Sequence, residues 1–477
     1  MNSHPESVFI NGKFHASPGG VVMELVNPAT EKKFLEIRGA SVSTAIEAIE
    51  GAHRAFEGGW RDLSPGKRTE ILFNVAAKIR EKKELLAALE TENIGKPIAD
   101  ARDEIGLGAK IFEYYAGAVT RFFGQTIPVS KGGLDIALRQ PMGVVTAIVP
   151  WNFPFPIACW KVAPALAAGN CVVLKPASLS PVTALMLGQL AVEAGLPPGV
   201  LQVVAGSGSE LGDALVTHPL IRKISFTGST EIGSRIMALA APGLKRISLE
   251  LGGKSPNIIF ADANVMEAAQ TSPMSVFANA GQDCCARSRV FVERAAYKKF
   301  VEAFVEATKL LRVGDPESDE TQVGPLVSAK HRQTVEHFVQ GARKGSGKVA
   351  CGGDRPYLNG AYLSPMVVLE PSVEEPVWKE EVFGPVVCIR PFDTEEEMLR
   401  EVNSSPYGLS GSIWTNDVKR ALRVSRAVES GVLSVNSHSS VHVEAPFGGF
   451  KMSGIGRDLG MQALEGYSEL KNIYFGT

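Results

Sequence analysis

Between residues 42 and 120 apolar side chains recur every three or four positions, at Ile46, Ile49 and Ala52 and again at Ile71, Leu72, Val75 and Ile79. That spacing lines one face of an α-helix, so this stretch predicts amphipathic helices. After Met142 the pattern changes to short apolar, β-branched runs: VVTAIV (144–149), CVVLK (171–175), LQVV (201–204), KISF (223–226) and RISLEL (246–251). Helix-length segments around 157–168, 182–194, 209–216 and 230–240 separate them. Apolar strands alternating with helices predict a parallel sheet covered on both faces, a doubly wound α/β domain. A second alternating region follows, with a strand at 289–293, a helix at 296–311 and a polar loop at 314–325. Alternation around Gly132 and Gly133 within 122–141 predicts a projecting hairpin, and NIYFG (472–476) a strand that pairs outside its own domain.

The chain has 477 residues, too many for one ordinary core, so two or three domains are expected. A net charge of −2 gives no reason to expect nucleic acid or an anionic membrane as partner. Six cysteines are too few for a disulfide framework at this length, which points to a reducing cytoplasm, with Cys159, Cys171 and Cys388 as buried thiols. Neither a secretory signal nor an apolar run of membrane-spanning length is visible.

Chemistry concentrates first in FANAGQDCCARSR (277–289), where Cys284 lies in a loop between apolar stretches, flanked by Gly281, Gln282 and Arg289. A thiolate is a strong nucleophile, and backbone dipoles or cations can lower a thiol pKa. The competing reading is a small buried hydrophobe. Two Gly-containing turns, AGSGSELG (205–212) and SFTGSTEIGSRI (225–236), each end a strand and open a helix, offering N–H groups near Gly208, Gly228 and Gly233 to a phosphate. The spacing is not that of the dinucleotide fingerprint, so plain turns remain an alternative. Lys175 closes a strand at the edge where such sheets bind ligands, or is simply solvated. His438 and His442 are four apart, but the serines between and beside them argue against a helical metal pair, and no metal is expected.

Taken together, PWNFP (150–154), LKPAS (174–178), FTGSTEIG (226–233), LELGGKSP (249–256), GQDC (281–284), EEVFGPV (380–386) and PFGGFKMSGIGR (446–457) resemble the aldehyde dehydrogenase superfamily, in order, from Val8 to Phe475. The resemblance implies a Rossmann-like cofactor domain (1–121 and 142–251), an α/β catalytic domain (252–465) and a small β oligomerisation element (122–141 and 466–477) of a homodimer or homotetramer. It makes Cys284 the nucleophile, Asn152 an oxyanion donor and Glu250 the base that activates water. Lys161 and Asp458 become a proton relay, where the family more often carries Glu at the latter position. Trp151, Gly228, Ser229 and Gly233 fall along the pyrophosphate, Glu381 on the nicotinamide ribose, Phe383 against the nicotinamide, and Lys175 by the adenosine ribose.

Ser178 replaces the Glu common in NAD-preferring members, which removes a charge that would repel a 2′-phosphate and leaves Lys175 to pair with it. Use of NADP as well as NAD is therefore expected. Phe153, Trp160 and Phe447 are implied for the substrate tunnel, with core packing the alternative for Phe447. Asp283 and Glu444 would favour a cationic aldehyde such as an ω-aminoaldehyde or betaine aldehyde, unless they are paired structurally with Arg287 or Lys451. Two other outcomes stay open: acyl transfer to CoA, against which Glu250 argues, and a non-catalytic protein that keeps the fold.

Overall fold

In the computed structural model, which describes residues 5, 7–357 and 359–476, the runs after Met142 form five strands of an eight-stranded sheet, completed by Val8–Ile10, Lys13–His15 and Gly454–Ile455. Residues 1–4 and 6 of the expected first domain, and residue 477 of the expected oligomerisation element, lie outside the described residues. At the centre of the sheet Val144–Ile148 pairs in parallel with Cys171–Lys175 on one side and Ile221–Thr227 on the other. Leu201–Val203 and Arg246–Glu250 extend it outward, also in parallel. The chain thus winds in one direction, returns to the middle and winds in the other. The carboxyl ends of Val144–Ile148 and its neighbours flank the crevice that this reversal leaves.

The helical region resolves into Val42–Ala55, Pro65–Glu81, Lys83–Ile94 and Ile98–Ala118. Ser41 and Ser64 cap the first two through their side chains, and Gly95 ends the third in the left-handed conformation. Ile49, Ala52, Ile71, Leu72, Val75 and Ile79 are buried, as their spacing predicts. Pro154–Ala167 is buried along its whole length and carries Trp160 and Lys161 into the interior.

A seven-stranded sheet follows, with Arg289–Glu293 and Pro256–Ile259 near its centre and Met366–Leu369, Val386–Phe392, Ser410–Trp414 and Val432–Val435 around them. Each sheet has its own apolar core. The chain does not stay with the second core to residue 465, however. Gly454–Ile455 joins the edge of the first sheet, and Phe447, Leu459, Leu464 and Tyr467 are buried in the first core. The hairpin expected at 122–141 forms, as Gln125–Ile127 and Leu134–Pro141, and its outer partner is the terminal strand Ser468–Phe475. Ile127, Leu134, Leu138, Leu470, Tyr474 and Phe475 remain exposed on this small sheet. Among the described residues no helix is long and apolar enough to cross a membrane.

Candidate active site

Cys284 lies on the segment that leads into Arg289–Glu293, at the amino ends of the second sheet's strands, while Glu250 ends a strand of the first. The approach to the thiol is strained: Asn279, Ala280 and Gly281 all take left-handed backbone conformations (φ 51°, 55° and 73°). For Asn and Ala this costs about 1–2 kcal/mol each. At position 281 a side chain is excluded outright, since a Cβ would stand 2.2 Å from the Gly384 carbonyl oxygen. Gln282 locks the turn: its Nε2 donates to Asn279 O at 2.9 Å and its Oε1 accepts from Val327 N at 2.8 Å.

Cys284 is half-buried rather than exposed. The adjacent Cys285 thiol, burial and the Glu250 carboxyl push its pKa up, the opposite of the lowering expected from nearby cations. Arg289 explains part of the difference, because its guanidinium turns away to donate to Lys254 O at 3.0 Å and Val402 O at 3.2 Å. Glu250 is buried, and desolvation raises its pKa to about 8, against the pull of the Lys161 ammonium and with the push of Asp458. It is also within hydrogen-bonding reach of the Cys284 sulfur. Its Oε1 has no hydrogen-bond partner among the described residues. Asn152 Nδ2 donates to Gln282 O at 3.0 Å, which uses one of the two amide hydrogens and leaves the other. Cys284, Glu250 and Asn152 line one cavity of about 250 Å³ together with Trp151, Gly228, Ser229, Glu381 and Phe383.

Lys161 Nζ meets Asp458 Oδ2 at 2.8 Å and Ser225 Oγ at 3.1 Å, with both charged side chains almost fully buried. The shorter Asp side chain reaches because reciprocal backbone hydrogen bonds with Phe447 fix its peptide. Its unpaired Oδ1 stays buried as well.

A second cavity of about 490 Å³ shares Pro150, Trp151, Thr227, Gly228 and Ser229 with the first and runs to Lys175, Ser178 and Gly208. Gly208 and Thr230 open helices Gly208–Thr217 and Thr230–Ala240, whose positive ends suit a pyrophosphate. Val216, Ile232 and Leu239 give the far end apolar walls fit for an adenine. The two cavities therefore suit a nicotinamide dinucleotide, with its ring end at Cys284. Lys175 is buried, its pKa lowered to about 8 by desolvation, and it donates to Pro176 O at 3.2 Å. Ser178 Oγ donates to Gly206 O at 3.0 Å. Glu381 Oε1 accepts from Gly253 N at 3.0 Å, with burial raising its carboxyl to about 7. Phe383 and Trp151 pack edge to face at 5.3 Å, and His331, which sequence reasoning missed, fixes the Phe383 carbonyl at 2.8 Å. Gly233 departs from expectation. It lines neither cavity but allows close packing, since a Cβ there would meet Leu251 Cδ2 at 2.5 Å.

The expected substrate residues are less uniformly placed. Phe153 is half-buried beside Asn152, but Trp160 and Phe447 are buried edge to face at 5.2 Å, the packing alternative for Phe447. Asp283 is half-buried and accepts from Cys285 N at 2.8 Å, with the Arg287 charge nearby. Glu444 is exposed near Tyr114, while Lys451 pairs with Glu429 at 2.5 Å instead. His438 and His442 do not converge: both ring nitrogens of His438 lie 3.2 Å from serine hydroxyls, of Ser272 and Ser412, and His442 is exposed.

A half-buried cysteine beside a buried glutamate, at the end of a groove fit for a dinucleotide, is the arrangement of an oxidoreductase of the doubly wound class. The model of the aldehyde dehydrogenase family matches residues 14–473, and the chain belongs to that family. It is 41% identical over 452 residues to 4-trimethylaminobutyraldehyde dehydrogenase A of Danio rerio, covering 94% of this chain and 89% of that protein. It is 40% identical over 471 residues to human retinaldehyde dehydrogenase 3, covering 98% and 92%. The NAD+ complex of an aldehyde dehydrogenase from Bacillus cereus superposes with a TM-score of 0.96 at 40% identity, covering 98% and 96%. The protein is an aldehyde dehydrogenase. Identity alone does not separate a cationic from a large apolar substrate.

Proposed function

We propose that this enzyme oxidises a small aldehyde to its carboxylic acid with water and a nicotinamide dinucleotide. The reading is carried by the convergence of Cys284, Glu250 and Asn152 on one cavity at the end of the dinucleotide groove. Cys284 Sγ, giving its proton to the carboxylate form of Glu250, attacks the carbonyl carbon. The displaced electron pair settles on oxygen, where the free Asn152 amide hydrogen and the Cys284 backbone N–H receive it. A nicotinamide dinucleotide held at its ring end by Trp151, Ser229, Glu381 and Phe383 would supply the hydride acceptor for this oxidation, and Cys284 would keep the acyl group as a thioester. Once that first proton has left Glu250 through Lys161 and Asp458, the regenerated carboxylate takes a proton from a water at its unpartnered Oε1. The resulting hydroxide attacks the acyl carbon, and Cys284 departs as thiolate. Lys161 and Asp458 are assigned to carry the Glu250 proton onward, supported by the charge coupling of both to that carboxyl. Glu250 favours water over CoA as the acyl acceptor. The reading is tested by assaying the purified enzyme over an aldehyde panel for formation of reduced cofactor, with and without CoA. No product with any aldehyde overturns it, and a strict need for CoA overturns its hydrolytic half.

We infer that NADP is used well alongside NAD. Ser178 and Lys175 line the adenosine end of the groove, and no carboxylate is contributed at position 178 to repel a 2′-phosphate. The expected kcat/KM for NADP is within about tenfold of that for NAD or above it, and Ser178→Glu should lower the NADP value by about tenfold or more. A hundredfold NAD preference in the native enzyme refutes this.

For the substrate, Asp283 beside the nucleophile and exposed Glu444 support a cationic aldehyde. 4-Aminobutyraldehyde is expected to exceed hexanal in kcat/KM, and both to exceed succinate semialdehyde. Fastest turnover of succinate semialdehyde rejects the assignment. We propose the division into 1–121 with 142–251, 252–465, and 122–141 with 466–477, with the last part of 252–465, from Phe447, packing on the first core, and assign the exposed apolar side chains of the small sheet to a homodimer or homotetramer. Six cysteines without a disulfide support a cytoplasmic setting.

A further inference from the structure

Lys96 is a buried charge near the site that the mechanism does not use. It stands between Gly95, left-handed at φ 75°, and Pro97, so its backbone has little freedom. The side chain is fully buried, and every direction it faces is occupied. Its ammonium bonds the Glu104 carboxylate, donates to the backbone oxygen of Asn152 at 2.8 Å and lies 4.1 Å from the Phe153 ring centroid. The carboxyls of Glu90, Asp100 and Asp283 feel its charge from farther off.

Asn152 sits in the irregular turn between Val144–Ile148 and Pro154–Ala167, where no helix or sheet ladder satisfies its carbonyl. Two side chains do so instead: Lys96 Nζ at 2.8 Å and Asn279 Nδ2 at 2.9 Å. Asn279 Nδ2 also lies 3.2 Å from Gln282 O, the oxygen that accepts from the Asn152 side-chain amide. With carbonyl and amide both tethered, the Cα–Cβ direction of Asn152 is set, and with it the aim of the remaining amide hydrogen. A buried ion pair serving stability alone has no need to grip this particular carbonyl.

We propose that Lys96 is a positioning residue for the oxyanion site, holding the Asn152 main chain so that its side-chain amide points at the aldehyde oxygen. This rests on the assignment of Asn152 as oxyanion donor. Loss of the grip should act on steps that build an oxyanion and spare steps that do not.

The test uses the full-length enzyme and the double variant Lys96→Met/Glu104→Gln, which removes the ion pair as a unit and leaves no lone buried charge. Its kcat/KM for aldehyde is expected to fall about 30-fold, the scale of a slightly misplaced catalytic group. Alkylation of Cys284 by iodoacetamide, a displacement that forms no oxyanion, is expected to stay within about twofold of the native rate. Glu104→Gln alone keeps the lysine–carbonyl bond and should stay within about threefold of native kcat/KM. In an Asn152→Ala background the double variant should cost no more than about threefold further, because residues that act as one unit are not additive. If the double variant does not fold, Lys96→Arg serves in its place, keeping the charge but replacing the compact donor with a broad planar fork. It should lose about tenfold in kcat/KM at an unchanged alkylation rate. The proposal is overturned by alkylation slowing in step with turnover, by an undiminished loss in the Asn152→Ala background, or by Glu104→Gln losing as much as the double variant. Native enzyme inert toward every aldehyde would sink the functional reading itself. Active native enzyme with unaffected Lys96 variants sinks only this assignment.

Discussion

Cys284→Ser is expected to lower aldehyde oxidation by about 10⁴-fold or more, the scale on which removal of a covalent nucleophile is felt. A serine hydroxyl is far less acidic than a thiol, and the base available to it, Glu250, is a carboxylate that burial raises only to about 8. Fold and cofactor binding should be unaffected: the change is nearly isosteric, and Cys284 lines only the ring end of the groove, away from Lys175 and Ser178. Dinucleotide binding followed by protein fluorescence, measured beside the steady-state rate, separates the two effects. Turnover within tenfold of native would remove the thiol from the mechanism.

The raised Cys284 pKa adds a second consequence to the same experiment. In this structure the thiol rests protonated, next to a second thiol and two carboxyls. Attack on the aldehyde therefore has to move the proton as the C–S bond forms, and the carboxyls of Glu250 and Asp283 both lie against the sulfur to receive it. In the proposed route Glu250 receives that proton first, which ties the two half-reactions to one carboxyl without making acylation depend on it alone.

Much of the first sheet is legible in the sequence because its strands are buried on both faces and read as unbroken apolar runs. VVTAIV and CVVLK admit little else. The second sheet is less so. Of its seven strands the periodicity singles out only Arg289–Glu293, since others hide polar side chains that pair internally. Ser410–Trp414 is an example: Ser412 receives Arg287 Nε at 2.9 Å and contacts Ser434 at 3.1 Å. Those partners lie far away in sequence, so the strand looks like a loop until the fold brings them together. The site divides the same way. Cys284, Glu250 and Asn152 announce themselves by chemistry and local motif. Lys96 and Asn279 act through a backbone oxygen, and sequence carries no mark of which carbonyl a lysine will find. Asn279 stands within the segment that singles out Cys284, yet only its left-handed backbone explains why its amide turns back to Asn152. The expected lowering of the thiol pKa fails for a related reason: the Arg289 side chain is nearby in sequence, but its Nε, Nη1 and Nη2 turn to the carbonyls of Lys254, Glu401 and Val402.

Glu250→Gln is expected to stall the enzyme at the acyl stage. The amide keeps the size of the side chain but cannot take a proton from water, so hydrolysis of the Cys284 thioester should slow by about 10²–10⁴-fold, the usual worth of a general base. Mixed rapidly with aldehyde and cofactor, the variant, in which Asp283 still faces the sulfur and can take the thiol proton, should give at most one equivalent of reduced cofactor per site, formed more slowly than in the native enzyme, and then nearly stop. Mass spectrometry of the quenched protein should find the acyl group on Cys284. The pH dependence follows from the same carboxyl. Its burial-raised pKa of about 8 leaves it mostly protonated, and so useless as a base, at neutral pH. Hydrolysis-limited turnover of the native enzyme should therefore climb through pH 7 and level off above about 8, while the residual rate of Glu250→Gln lacks that step. A dinucleotide that brings positive charge or excludes a neighbouring carboxylate would move the midpoint downward, because either change favours the ionised carboxylate. A variant that turns over repeatedly at the native rate, with the same pH profile, would show that another group activates the water.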